Sequence, residues 1–148
     1  MRPIHSGVGG GVVPDAFMVL SRIISSFHDD KGNLMIEGLT STDMKVTELE
    51  ESFLKKMLGS DDISLFDTES ISKRLWLEPA LDVLAIDAPP VKEAVNLVVP
   101  KARAKVSLRL PPTEDPDHAM KMLEEHIMKN IPWNASVKFI PNLSLIHI

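Results

Sequence analysis

The pattern of apolar and polar positions divides the chain into an N-terminal helical part and a later part that combines strands with one more helix. Residues 14–28 are predicted to form the first helix, because their apolar positions recur at steps of three and four. These positions are Phe17, Leu20, Ile24 and Phe27. One stripe of this kind indicates a helix that packs against a core on one side only.

Two shorter helices are predicted next. The first begins with the run from Thr47 to Glu50, whose spacing matches a capping box, and it ends at Gly59. The second covers about residues 69–76 and stops before Pro79. Both helices lie in a stretch without strand patterning, so we expect them to form a helical insertion.

Strand patterning begins after the insertion. Residues 81–87 alternate with period two, and residues 98–110 alternate apolar positions with basic and polar ones, which predicts two half-buried strands. A helix is predicted from Asp115 to about residue 130, and a last strand over residues 136–140. One further strand before His5 would complete a βαββαβ order.

The predicted fold is therefore α+β, a ferredoxin-like two-layer sandwich in which an antiparallel sheet is covered by two helices. We expect it to lack most of its first strand and to carry the helical insertion at about residues 40–78. The first strand of such a fold is central, and the four residues before His5 leave little room for it. We therefore expect the chain to be cut at its front.

Composition narrows the classes of partner. A chain of 148 residues is sufficient for one domain, and its net charge of −5 argues against nucleic acid or an anionic membrane as a partner. There is no cysteine, which excludes disulfides, thiolate metal sites and cysteine nucleophiles. No secretory signal is visible at the N-terminus, so the expected location is the cytoplasm.

The candidate chemistry begins in the glycine-dense run from His5 to Gly11, which leads to Pro14 and Asp15. Glycines let a loop approach a ligand or another backbone closely, and a histidine held against a helix start is a candidate donor to a polar or anionic group. The alternative is a tight turn in which the histidine is incidental.

Arg109 is the second candidate. It ends a predicted strand on the polar face, immediately before two prolines, where a rigid guanidinium could bind a carboxylate through two hydrogen bonds. The alternative is an ordinary solvated arginine. His118 and His126 lie eight residues apart and do not have the spacing of a metal-binding pair, so we predict no metal site.

Together these segments resemble a known family. They are His-Ser-Gly-x-x-Gly-Gly from His5 before a Pro-led helix, the run from Val99 to Pro112 followed by Asp115-Pro116, and the strand end at residues 81–90. The pattern is similar to the zinc metallopeptidase family of aminoacylases, acetylornithine deacetylase, succinyl-diaminopimelate desuccinylase and carnosinase-type dipeptidases. The dipeptidase branch is most similar, and the resemblance covers about residues 4–140.

The resemblance implies that residues 1–142 are the lid, which is also the dimerisation domain. His5 would reach across a homodimer to polarise the scissile carbonyl in the partner's active site, and Arg109 would bind the substrate's terminal carboxylate. Asn96 is similar to an asparagine of the family, although it lies four residues before Pro100 rather than three. Residues 143–148 resemble a translated sequencing adapter and are expected to be non-native.

The family's metal ligands have no matching positions in this chain. The resemblance implies that two zinc ions and the general base belong to a separate catalytic domain, and that this chain alone catalyses nothing. The complete protein would hydrolyse a small peptide or an N-acyl amino acid next to a free carboxylate. The alternative is a stand-alone α+β module that dimerises and takes an amino acid at the glycine-rich loop, without catalysis.

Overall fold

The computed structural model describes residues 2–87 and 89–142. The elements follow in the order β1 (Ile4–His5), α1 (Ser6–Gly9), α2 (Ala16–Ser25), α3 (Glu51–Leu58), α4 (Ile71–Trp76), β2 (Ala80–Asp87), a 3-10 helix (Val91–Glu93), β3 (Leu97–Val98), β4 (Arg103–Arg109) and α5 (Pro116–Lys129). The predicted α+β class is confirmed. None of the helices in the described ranges is long and apolar enough to cross a membrane.

The strands form two antiparallel ladders. β1 pairs with β3, and β2 pairs with β4 from Ala80 opposite Arg109 to Asp87 opposite Arg103. The prediction of one strand over residues 98–110 was wrong in its continuity, because the ladders are separated by residues 99–102. Pro100 explains the break, since proline has no N–H to donate to a ladder.

Two helices cover one face of the β2–β4 ladder, as the sandwich requires. The core cluster draws its buried side chains from α2 and the residues after it, from β2 and from α5; they are Val19, Ile23, Phe27, Ile36, Leu81, Leu123 and Ile127. Val106 and Leu108 of β4 pack against the same cluster, whereas Lys105 and Arg109 are exposed. The predicted alternation of β4 is confirmed.

The first helix is shorter than the predicted range of 14–28. It begins at Ala16, because Asp15 is the N-cap and its carboxylate accepts from the backbone N–H of Phe17 over 2.8 Å. Pro14 therefore lies outside the helix rather than in its first turn. The helix ends at Ser25, and the chain turns so that Phe27 still reaches the core.

The capping box predicted at Thr47 and Glu50 is absent from the structure. α3 begins at Glu51, and its N-cap Glu50 makes no side-chain capping bond. Glu48 instead accepts from the backbone N–H of Ile71 over 2.8 Å, so this acidic side chain caps α4 rather than α3. The predicted stop at Gly59 is confirmed by its left-handed φ of 72°.

The predicted last strand over residues 136–140 forms no ladder with any other described residue. Its burial nevertheless alternates: Val137 and Phe139 pack against the core, and Ser136 and Lys138 are exposed. Within the described residues β4 pairs with one strand, β2, so its other edge has no ladder partner there. The segment thus has the side-chain pattern of a strand without a paired backbone. The expected non-native tail, 143–148, lies outside the described residues.

A buried carboxylate fastens the start of the insertion to the start of α5. Both the backbone N–H and the hydroxyl of Thr40 donate to Glu114 Oε2 over 2.6 Å, and His118 Nδ1 lies 2.7 Å from Glu114 Oε1. Burial alone raises the pKa of Glu114, but the hydrogen bonds from Thr40 and His118 outweigh it and lower the pKa from 4.5 to about 2. The ionised form is therefore the one that the fold stabilises.

Replacing Glu114 by alanine should lower the free energy of unfolding by about 1.5–3 kcal/mol, because hydrogen bonds to a buried charge are lost. Glu124→Ala, on the exposed side of α5, is the control and should change little. Because the folded pKa is depressed, the contribution of Glu114 is complete above about pH 4.5 and is lost as the pH falls toward 2. Glu114→Gln should flatten this acid loss in urea titrations; an unchanged pH dependence would contradict the assignment.

Candidate functional site

His5 stands at the junction of β1 and α1. It pairs with Leu97 of β3, and it is also the N-cap of α1, where its Nδ1 accepts from the backbone N–H of Gly7 over 3.0 Å. The side chain is exposed. The run predicted as a glycine-dense loop therefore contains one helical turn, which the His5 side chain caps. A ligand-binding role of the imidazole stays a prediction.

The glycines of this turn are required by close packing. A Cβ at Gly9 would lie 2.8 Å from Ile4 Cγ2, and one at Gly10 would lie 2.4 Å from the carbonyl oxygen of Ser6. Neither contact is tolerated by real side chains. Gly9 and Gly10 thus let the chain reverse tightly after His5.

The segment between His5 and α2 is hydrogen-bonded at both ends to the residues that flank β3. The N–H of Ser6 donates to the carbonyl of Asn96 over 2.9 Å, and the N–H of Ala16 donates to the carbonyl of Val99 over 3.0 Å. The N–H of Val99 in turn donates to Asp15 Oδ2 over 2.8 Å. Asp15 therefore both caps α2 and anchors the loop. Its position before a helix predicts the cap but not the anchor.

The backbone of Asn96 lies beside His5, since the Asn96 carbonyl accepts a hydrogen bond from the N–H of Ser6. Its side chain is exposed. The structure thus brings two of the three predicted site residues to the same edge of the β1–β3 ladder. The predicted role of the Asn96 side chain in substrate binding stays a prediction.

Arg109 lies elsewhere. It ends β4 opposite Ala80, and its Nη2 donates to the carbonyl oxygen of Arg74 in α4 over 3.2 Å. It also lines a cavity of about 450 Å³ between the insertion and the sheet, together with Arg74, Glu78 and Asp82. Arg109 is exposed, and its binding of a substrate carboxylate stays a prediction.

His5 and Arg109 belong to different ladders. No hydrogen bond among the described residues joins His5 or Asn96 to Arg109. A substrate site that combines these side chains stays a prediction.

The other described histidines have structural partners. His126 Nε2 lies 3.0 Å from the Ser26 hydroxyl, His118 pairs with Glu114, and His28 forms an isolated bridge with Leu34. In residues 2–87 and 89–142, no three His, Asp or Glu side chains come together as a metal site. The residues present therefore do not fit the zinc pair that the resemblance implies, and we derive no step through a metal in this chain.

The chain is similar to known proteins in both sequence and fold. The family profile described as a peptidase dimerisation domain matches residues 2–135. Cysteinylglycine-S-conjugate dipeptidase of Corynebacterium striatum is 36% identical over 140 residues, which cover 92% of this chain and 31% of that protein. The Cys-Gly metallodipeptidase DUG1 of Saccharomyces cerevisiae is 27% identical over 134 residues, covering 83% of this chain and 28% of that protein.

The fold is also similar to that of a solved enzyme, the M20 family metallo-carboxypeptidase Sso-CP2 of Sulfolobus solfataricus. The TM-score is 0.70 at 26% identity, over 88% of this chain and 37% of that one. This chain spans about a third of the length of the curated relatives that it matches. Because the family profile covers most of its residues, the chain belongs to the peptidase dimerisation domain family.

Proposed function

We propose that this chain is the lid and dimerisation domain of a metal-dependent dipeptidase that works in the cytoplasm. In this proposal a homodimer forms through the domain, and each copy contributes His5 to the active site of the other. The observation that carries the proposal is the exposed imidazole of His5, which lies on a loop hydrogen-bonded to both residues that flank β3 and in a different ladder from Arg109. The names of the relatives support a dipeptide substrate, with Cys-Gly as the first candidate.

Each side chain has a separate task in the proposed reaction. His5 donates a hydrogen bond to the scissile carbonyl and so stabilises the charge that develops on its oxygen. Arg109 binds the free carboxylate at the end of the substrate, and Asn96 adds a polar contact beside His5. The metal ions and the general base are proposed to come from a catalytic domain outside this chain.

The alternative, an amino-acid-binding module without catalysis, needs room for a ligand at the glycine-rich turn. At Gly9 and Gly10 a Cβ would clash with Ile4 and with the Ser6 carbonyl, so these two glycines serve the packing of the turn itself. The activity itself is tested on the complete protein encoded by the reading frame that contains this chain. Cys-Gly hydrolysis that a chelator abolishes and a divalent metal restores would support the enzyme; no hydrolysis of any dipeptide would refute it.

Replacing Arg109 by methionine in that complete protein should raise KM for a dipeptide about 10- to 100-fold, because charge-assisted hydrogen bonds to the carboxylate are lost. The same dipeptide with an amidated C-terminus should be affected little, since it has no carboxylate to bind. Arg103→Met, which removes another exposed arginine from β4, is the matched control. An equal loss for both substrates would contradict the role of Arg109.

A further inference from the structure

The hydrogen bond between Gly7 and His5 determines where the proton of the imidazole lies. A backbone N–H can only donate, so His5 Nδ1 must be the acceptor in the 3.0 Å contact. A neutral imidazole has one acceptor nitrogen and one protonated nitrogen. The proton of neutral His5 therefore belongs on Nε2, which has no hydrogen-bond partner among the described residues.

Glycine at position 7 gives the ring room to approach the amide closely. A Cβ at Gly7 would lie 3.2 Å from His5 Nδ1, which is tighter than most real Cβ contacts, and 3.5 Å from His5 Cε1, an ordinary van der Waals distance. A side chain there would shift the ring relative to the amide by a few tenths of an ångström. The extended backbone of His5, with φ −60° and ψ 136°, then turns the ring back over the first turn of α1.

We infer that the Gly7 amide is a positioning group that holds neutral His5 in the Nε2–H tautomer. The single N–H donor of the exposed ring then has no hydrogen-bond partner among the described residues. The use of this donor by a substrate carbonyl rests on the proposed function; the tautomer itself does not. Gly7 acts only through His5, and His5 is the residue that would touch the substrate.

The tautomer is tested by ¹⁵N NMR of the ¹⁵N-labelled chain at about pH 8.5, well above the ordinary histidine pKa of about 6.5. We expect the chemical shifts of an unprotonated Nδ1 and a protonated Nε2. We also expect a scalar coupling through the hydrogen bond between the Gly7 amide nitrogen and His5 Nδ1. A protonated Nδ1, or the same tautomer mixture that the chain shows in denaturing urea, would overturn the inference.

Two alanine variants separate the contact from the general fold of the turn. Gly7→Ala should weaken the coupling and shift the tautomer equilibrium toward that of the unfolded chain. Val8→Ala is the matched control, because Val8 lies in the same helical turn and is 73% exposed. It should keep both the coupling and the single tautomer; loss of both in Val8→Ala would show that the contact has no specific dependence on Gly7.

The consequence for catalysis is tested by two substitutions in the complete enzyme. Glutamine places an amide N–H near the position of Nε2, whereas the shorter asparagine reaches only the position of Nδ1. His5→Gln should therefore keep at least about tenfold more kcat than His5→Asn, a part of the effect of a donor to an oxyanion. Equal kcat values, or a higher value for asparagine, would contradict an Nε2 donor.

The two experiments distinguish the inference from the function on which it rests. An Nε2–H tautomer together with unchanged kcat in both His5 variants would refute the proposed function and support the tautomer. A protonated Nδ1 together with a reduced kcat would refute the tautomer and leave His5 as a catalytic residue.

Discussion

Replacing His5 by alanine in the complete protein should lower kcat of the proposed reaction about 10²- to 10³-fold, the usual effect of removing one donor to a developing oxyanion. KM should change little, because the proposed hydrogen bond strengthens only as charge develops on the carbonyl oxygen. Steady-state kinetics on Cys-Gly measure both constants. A rise in KM at constant kcat would instead assign His5 to ground-state binding.

A mixed dimer shows which copy supplies His5. If His5 acts across the dimer, an enzyme made of one His5→Ala chain and one Arg109→Met chain has one intact site and one doubly defective site. Random pairing of equal amounts makes half of the molecules mixed, so about a quarter of the wild-type activity should return at a substrate concentration well below KM, where both parent variants are slow. If both residues served the site of their own chain, the mixture would be no more active than the average of its parents.

The candidate residues of the site could be identified from the sequence, but their arrangement could not. His5, Asn96 and Arg109 were identified through motifs about a hundred residues apart in the chain. The pairing of β1 with β3, which brings Asn96 to His5, depends on a two-residue ladder that no periodicity reveals. The contact of Arg109 with the Arg74 carbonyl joins a strand to the insertion, and local pattern has no information about such a contact.

The fold was predictable where one face of an element is buried, and less so at the ends of elements. The stripe of α2 and the alternation of β4 both follow from packing against one core. The cap at Glu48 was not predictable, because its carboxylate caps a helix more than twenty residues later. Residues 136–140 have the correct alternation, yet a strand also needs a neighbouring backbone, which none of the described residues provides.

The buried core cluster that contains Phe27 should be the part of the chain most sensitive to substitution. Phe27 is 2% exposed, and its ring lies 5.7 Å from that of His126. Its carbonyl also accepts from the N–H of Met35 over 2.8 Å, so it lies where the chain leaves α2 for the insertion. Removing the ring would leave a cavity between α2 and α5.

Phe27→Ala should therefore lower the free energy of unfolding by about 3–5 kcal/mol and Tm by roughly 10–20 °C. Phe53→Ala is the matched control: Phe53 is 52% exposed on α3, and its loss should cost less than about 0.5 kcal/mol. Phe27→Leu, which keeps much of the volume, provides a folded variant with a smaller loss. Urea denaturation measures all three, and equal effects at positions 27 and 53 would contradict the core described above.

The same variants test how the core supports the His5 loop. Asp15 caps α2 and anchors this loop by accepting from the Val99 N–H. Phe27→Leu should therefore lower the protection of the Val99 amide from hydrogen exchange, while Phe53→Ala leaves it unchanged.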